Sequence, residues 1–501
     1  MLARTLIRLK RNKQIVIKPA DKNLGLVVLD APIYRDMCLS HLVDTNTYTA
    51  VPSYNPSDSY FRLRSILRQH GQLYKQSRSS TEPSLSKLAA SLLQLEGRKE
   101  LRIPPFYCIP KLHKGKITPL PSRPIISAPS SVTYHTSCYL SNELLPIIEK
   151  LPTVCTSSRH VIRDLHSLEV PDDHIILCAD VTSLYPSIPI DFGLNAVRQI
   201  LLRLNSFSPK RIDFLISLLS WVLHNNYCTF NGTIYLQIKG TAMGTPVAVA
   251  YANIVLYFIE SPILSSLECS LYRRYIDDMF AALSRRHAID FVRRFNATNP
   301  SIQLEAVTYE LSGIFLDLDV SLVPSSRTGY SVFKHTLYQK PINKYQYIPP
   351  LSNHRPHVFF NFILQELKRY RLACTDDSSF EHLVVLFRDR LQRRGYAPQM
   401  LSTALHALPS RQTLLDLLLN PPPPTNDATP TPPIIVLNLP TLRPNPNWRT
   451  VFSLSLTITD LPEFKQAYGE SNIVIGHRNA PSIARYITSS SYSTNNSIPS
   501  T

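Results

Sequence analysis

Asp180, Asp277 and Asp278 are the residues of this chain best placed to do chemistry. Asp180 closes the apolar run Ile175-Ile176-Leu177-Cys178-Ala179-Asp180 and leads into Val181-Thr182-Ser183-Leu184-Tyr185, and the pair lies in Arg274-Tyr275-Ile276-Asp277-Asp278-Met279-Phe280. Phosphoryl transfer to a hydroxyl uses two Mg²⁺ ions about 3.5–4 Å apart, and hard cations need oxygen ligands drawn from more than one segment. Asp180, Asp277 and Asp278 are therefore the expected catalytic residues and metal ligands. Two Mg²⁺ are the expected cofactor, with Mn²⁺ as an alternative. Taken singly, one stretch is also the pattern of a buried strand ending in an Asp turn, and the other that of an ordinary hairpin tip. Their order is what points further. Between them lies Lys239-Gly240-Thr241-Ala242-Met243-Gly244-Thr245-Pro246, followed by the apolar run 247–259. Gly240 and Gly244 allow close backbone approach to a substrate, which makes Gly244 a candidate contact. Thr245 as N-cap and Pro246 at the first helical position should start a buried helix.

Such an order of strand, helix and carboxylate hairpin is that of a polymerase palm, so the expected fold is α+β: a right hand of fingers, palm with antiparallel sheet and helical thumb, preceded by an N-terminal extension. Breakers and periodicity divide the chain into an extension over 1–100, fingers over 101–170, palm over 171–325 and thumb over 326–418. Within the palm, Leu194, Val197, Leu201 and Leu204 recur at spacings of three and four, which predicts an amphipathic helix. The prolines at 421–424, 430, 432 and 433 predict a stiff linker over 419–446. A small accessory segment over 447–487 and a disordered Ser/Thr/Asn-rich tail over 488–501 complete the division. The polar stretch Lys75–Glu82 reads as a loose loop.

The ensemble of motifs resembles the reverse transcriptase of Penelope-like retroelements, relatives of telomerase. Ile15-Val16-Ile17-Lys18-Pro19-Ala20-Asp21-Lys22-Asn23-Leu24-Gly25-Leu26 is similar to that family's opening motif, with Asn23 where Gly is usual. Pro110-Lys111-Leu112-His113-Lys114 and Ser122-Arg123-Pro124-Ile125-Ile126-Ser127 resemble its fingers motifs, and Asp180 to Tyr185 its Asp-Val-Thr-Ser-Leu-Tyr core, here followed by Pro186-Ser187. Phe315-Leu316-Asp317, Leu337-Tyr338-Gln339-Lys340-Pro341, Ser352-Asn353-His354 and Arg394-Gly395-Tyr396 continue it. The resemblance implies an RNA-directed DNA polymerase that takes an RNA template, a DNA primer and dNTPs. Tyr185 would crowd a ribose 2′-hydroxyl where RNA-synthesising enzymes usually carry Asp, unless it merely packs in the core. Lys111, Lys114 and Arg123 are candidate phosphate contacts, Arg123 with the paired donors that suit a triphosphate. The two lysines could equally hold the template or simply be solvated. Lys340 is a candidate primer-side lysine. Arg273 and Arg274 point to opposite faces, so one of them should meet the substrate strand. Many members carry a C-terminal GIY-YIG endonuclease, and none is visible before Thr501.

Composition agrees with a nucleic-acid enzyme. Lys and Arg number 53 against 36 Asp and Glu, a net charge of +17 that attracts phosphate backbones. No apolar run reaches the roughly 18 residues of a membrane span, and no signal peptide is evident, so nuclear localisation after cytoplasmic synthesis is expected. The basic stretch Arg4, Arg8, Lys10, Arg11 and Lys13 reads as a nuclear-import or RNA-contact arm, or as a solvated terminus. The eight cysteines are scattered singly, which predicts free thiols rather than a zinc site or disulfides. Two other readings remain: a catalytically idle RNA-binding descendant, and an RNA-dependent RNA polymerase. Oligomeric state has no signature.

Overall fold

Successive side chains of a strand point to opposite faces, so the unbroken apolar run before Asp180 needs a core on each side. It has both. In the computed structural model, which describes residues 2–70, 88, 102–112, 119–129, 131–352, 354, 356–421, 434–440 and 472–478, this run forms the strand His174–Val181. Ile175, Leu177, Ala179 and Val181 lie in one apolar core, and Ile176 lies in another. The strand sits inside a four-stranded antiparallel sheet, between Asp278–Ser284 and Leu304–Glu310, with Cys269–Tyr275 at the far edge.

Helices Pro56–Gln69, Tyr134–Ile148, Ile190–Arg203, Pro209–Leu223, Ala248–Leu264 and Arg285–Thr298 supply the first core. The helix expected after Asp180 forms, but its buried stripe runs through Ala196, Val197, Ile200 and Leu201, leaving Leu194 and Leu204 at the margin. Ser208 caps the next helix by accepting from the Arg211 N–H, with Pro209 at its first position. The helix after the glycine motif starts later than expected. Its N-cap is Val247, because the Thr245 N–H and carbonyl are engaged in tight turns to Ala242 and Ala248, and the Val247 N–H donates to Ser137 Oγ.

Beneath the other face, Ile176, Phe280 and Ala282 meet Phe315, Leu318, Val320 and Phe333 of a second antiparallel sheet, ordered Ser312–Phe315, Leu318–Pro324, Tyr330–Leu337 and Glu169–Pro171. Helices Pro356–Ala373, Asp377–Arg393, Pro398–His406 and Arg411–Leu419 complete that core. The boundary placed at 325/326 falls inside a hairpin of this sheet. A strand cannot be cut from its partner without unpairing the ladder, and loop residues 325–329 merely looked like a break.

The N-terminal hairpin Ile15–Pro19 with Leu26–Asp30 packs over the helix Ala31–Leu42. Tyr48–Val51 pairs with Thr233–Gln237, which pairs with Tyr227–Phe230, so the segment assigned to an extension shares a sheet with residues assigned to the palm. The hairpin Phe106–Pro110 with Ser122–Ile126 joins the same small core. All eight cysteines are free.

Residues 14–419 make up one compact unit, and residues 1–13 with 420–491 group into a second. In the second unit the basic N-terminus is the helix Leu2–Arg11, and Ile434–Pro440 pairs in parallel with Asn472–Arg478. The stretch read as a linker thus contains a strand. Most of the accessory segment, the 488–501 tail and the Lys75–Glu82 loop lie outside the described residues.

Candidate active site

Sheet register brings the carboxylates together. Ala179 pairs with Met279, so extending that ladder by one residue sets Asp180 beside Asp278, while Glu305 pairs with Asp180 on the other side. Asp180 is half-buried, and its Oδ1 is buried without a hydrogen-bond partner. Burial, then the charges of Asp277 and Asp278, push its carboxyl up to about 6, with Glu305 adding to the effect. Asp278 is exposed by surface area yet partly dehydrated by the surrounding chain. That loss of hydration and the Asp277 charge hold it above the usual carboxylate range, against the pull of Lys340 and Lys22.

Crowded carboxylates with an orphaned oxygen disfavour their own ionisation, and a cation reverses the sign of that repulsion. The donor set is hard oxygen, which fits Mg²⁺. No group of three or more His, Cys, Asp or Glu among the described residues is positioned to enclose an ion unaided. Mg²⁺ does not require it, since it retains waters and takes substrate phosphates alongside one or two carboxylates. Asp180, Asp277 and Asp278 would hold it.

Asp277 sits on a two-residue turn closed by Tyr275 and Asp278. Ile276, the first central residue, has φ +58°, a left-handed conformation that glycine normally supplies there and that is strained for a β-branched side chain. Neither arginine before the turn is left to meet a substrate strand. Arg273 donates to Asp164 at 2.5 Å and to the Pro152 carbonyl, while Arg274 is wholly buried against Glu260. This corrects the expectation for the pair: a buried carboxylate and a neighbouring helix claim one guanidinium, and Asp164 claims the other.

Tyr185 is half-buried between Asp277 and Arg123, and burial and the Asp277 charge push its hydroxyl up to about 12. Arg123 is exposed on the 122–126 strand and pairs with the buried Asp21 at 3.5 Å. Lys340 is exposed near Asp278. Lys111 instead stands near His41, which burial and the Lys111 charge hold below the usual imidazole range. Lys114 and His113 lie outside the described residues. Gly244 (φ +116°) approaches protein backbone: a Cβ there would meet the Ile126 carbonyl oxygen at 2.3 Å, and the Ile126 N–H donates to the Met243 carbonyl. Gly240 makes the same kind of approach to the Tyr185 carbonyl. The two glycines therefore let the 240–244 segment pack closely on the backbone at Ile126 and Tyr185.

Lys22 belongs to the opening motif, in which no pattern sets it apart. It is exposed, has φ +59°, and with Asp317, Tyr338, Lys340 and Arg369 lines a cavity of about 220 Å³. Nothing in the sequence placed residue 22 near residue 278. Asp317 is held there by Ser158 and Arg369. The later motifs are structural in their contacts: Tyr396 donates to the Ile348 carbonyl, Arg394 to that of Tyr347, and His354 shares a hydrogen bond with Ser352.

No family model matches the chain, and no curated protein does. Among solved structures, it is similar to telomerase from Candida albicans in complex with a TWJ fragment of telomeric RNA, with a TM-score of 0.52 at 9% identity over 83% of this chain and 69% of that one. Apo telomerase from Candida tropicalis matches at a TM-score of 0.44 and 10% identity, covering 79% of this chain and 66% of that one. The Candida tropicalis telomerase in complex with the TWJ fragment gives 0.43 and 10%, covering 78% and 59%. The first of these carries the fold: it is α+β, of the right-hand polymerase kind, with an antiparallel sheet at its centre. No helix among the described residues is long and apolar enough to cross a membrane.

Proposed function

We propose that the protein is an RNA-directed DNA polymerase of the reverse-transcriptase kind, akin to those of Penelope-like retroelements, that extends a DNA 3′-hydroxyl on an RNA template. The observation that carries this reading is the convergence of Asp180, Asp277 and Asp278 at one end of the central sheet, with Tyr185 and Arg123 on one flank and Lys340 and Lys22 on the other.

In nucleotidyl transfer the primer 3′-oxygen attacks the α-phosphorus of the incoming nucleotide, the bond to the β-phosphate oxygen breaks, and pyrophosphate leaves. Mg²⁺, when bound, makes the hydroxyl a better nucleophile and neutralises charge on the leaving pyrophosphate. Asp180, Asp277 and Asp278 would hold that cation, and with it the reacting groups would be kept in one place, which converts a bimolecular collision into an oriented step. Arg123, braced by Asp21, offers the triphosphate a planar fork of donors. The Tyr185 ring would crowd a 2′-hydroxyl and so favour dNTPs. Lys340 and Lys22 place positive charge beside Asp278, where nucleic-acid phosphates would otherwise be repelled.

Primer extension on an RNA template, with dNTPs and rNTPs run separately, tests the reading. Extension with dNTPs alone is expected. Extension with rNTPs would make the protein an RNA polymerase, and RNA binding with no extension would make it an idle descendant.

A further inference from the structure

We propose that Arg274 is the positioning residue for the Asp277–Asp278 turn, acting through the Ile276 carbonyl, an inference that rests on reading this site as a two-metal centre. Arg274 and Glu260 are both fully buried. A buried ion pair is poor evidence of stabilisation, because apolar residues of similar volume often do as well or better. The use of the guanidinium is more telling. Nε donates to Glu260 Oε2 at 2.7 Å, Nη2 to Glu260 Oε1 at 3.1 Å and to the Asn253 carbonyl at 3.0 Å, and Nη1 to Asn253 Oδ1 at 2.8 Å and to the Ile276 carbonyl at 2.9 Å. All five donors of the side chain are thereby engaged.

Glu260 is fixed in turn by the hydroxyls of Thr153 and Tyr272, and the Arg274 backbone is pinned through Thr153 and Cys155. The network thus ties the helix Ala248–Leu264 and the 153–155 segment to the one peptide that carries Asp277. That peptide follows the strained Ile276, and a strained conformation persists only where its surroundings over-determine it. Arg274 provides that determination. A lysine, with a single ammonium, cannot span Glu260, Asn253 and the Ile276 carbonyl together.

Arg274→Met alone would strand a buried Glu260, so the informative variant is the double Arg274→Met/Glu260→Met, which removes both charges and leaves neither unpaired. Arg274→Lys, which keeps the charge for Glu260, serves beside it if the double variant does not fold. Melting temperature, Mn²⁺ binding by water-proton relaxation, primer–template affinity and extension rate are measured on the full chain. The expected result is a parental melt and primer–template affinity, with Mn²⁺ affinity and extension each lowered about 10–100-fold, the usual cost of losing a group that orients a metal ligand. A folded variant with parental Mn²⁺ affinity would show Arg274 to be merely structural and overturn the proposal. A parent that binds no Mn²⁺ would instead overturn the reading of the site itself, and the positioning role with it.

Discussion

Asp180 and the Asp277–Asp278 pair face the same task and are held in opposite ways. Asp180 lies at the end of a central strand packed on both faces by apolar side chains, so its backbone is placed by area burial and ladder hydrogen bonds spread over many residues. The pair sits on a two-residue turn with a strained first residue, tied down by one buried guanidinium and its carboxylate. Distributed apolar packing degrades by increments, each lost methylene costing about 1 kcal/mol. A buried charge network fails as a whole, because removing one member leaves its partner desolvated and unpaired. On the proposed reading the lesson is that a rigid strand can carry one carboxylate of the site without special provision, whereas a hairpin tip that must present two needs its own internal brace.

The largest effects test whether the two regions form one centre. Asp180→Ala and Asp277→Ala should each abolish extension, by more than about a thousandfold, because each removes several kcal/mol of charge stabilisation from the transition state. RNA binding should stay nearly parental, since backbone affinity comes from cations elsewhere. Asp278, exposed and flanked by Lys340 and Lys22, should be milder when changed to Ala. Substantial residual synthesis by both of the first two would break the site assignment. Equal loss in all three would make the hairpin pair equivalent ligands.

Sequence reading reached the Asp180 half of this comparison more fully than the other. An apolar run bounded by Asp is a pattern in the chain itself, and so is the three-and-four spacing of the helix that follows. The brace was missed because burial of an arginine is a tertiary fact: Arg273 and Arg274 look alike in the sequence, and only packing against the helix Ala248–Leu264 separates them. One signal was present. Glu260 is a lone carboxylate at the end of the apolar run 247–259, and a charge on the buried face of such a helix requires a partner of opposite sign. The contact of Gly244 was out of reach for a related reason, since the Ile126 backbone it approaches is far away in sequence.

Smaller effects should come from the flank that serves the substrate. Arg123→Lys should raise the dNTP KM about tenfold with kcat little changed, because charge is kept and the paired geometry is lost. A parental KM would place Arg123 outside the triphosphate site and leave its Asp21 pair as a fingers brace. Tyr185→Val should lower discrimination against rNTPs by about tenfold, the scale on which a pocket senses one hydroxyl or methylene. Unchanged discrimination in single-nucleotide incorporation would mean that Tyr185 only fills the space between Arg123 and Asp277.

The smallest effect separates the two regions by pH. Asp180, raised to about 6 chiefly by burial, binds a proton more tightly in the folded chain than in the unfolded one, where a carboxyl titrates near 3.9. Between about pH 4 and pH 6 the folded state therefore carries more protons, and stability of the metal-free protein falls as pH rises through that window. Above it the full penalty of a buried charge is present, and below it none is. Asp180→Asn removes the titration, so in EDTA the variant should melt above the parent near pH 7, with the gap closing towards pH 4. Adding Mg²⁺ at pH 7 should raise the parental melt and leave the variant nearly unmoved, because the cation then offsets a charge that only the parent has. Melting curves across pH with and without Mg²⁺ decide it: a gap that widens on acidification would mean that the fold favours the ionised Asp180 carboxylate instead, and would overturn the burial argument.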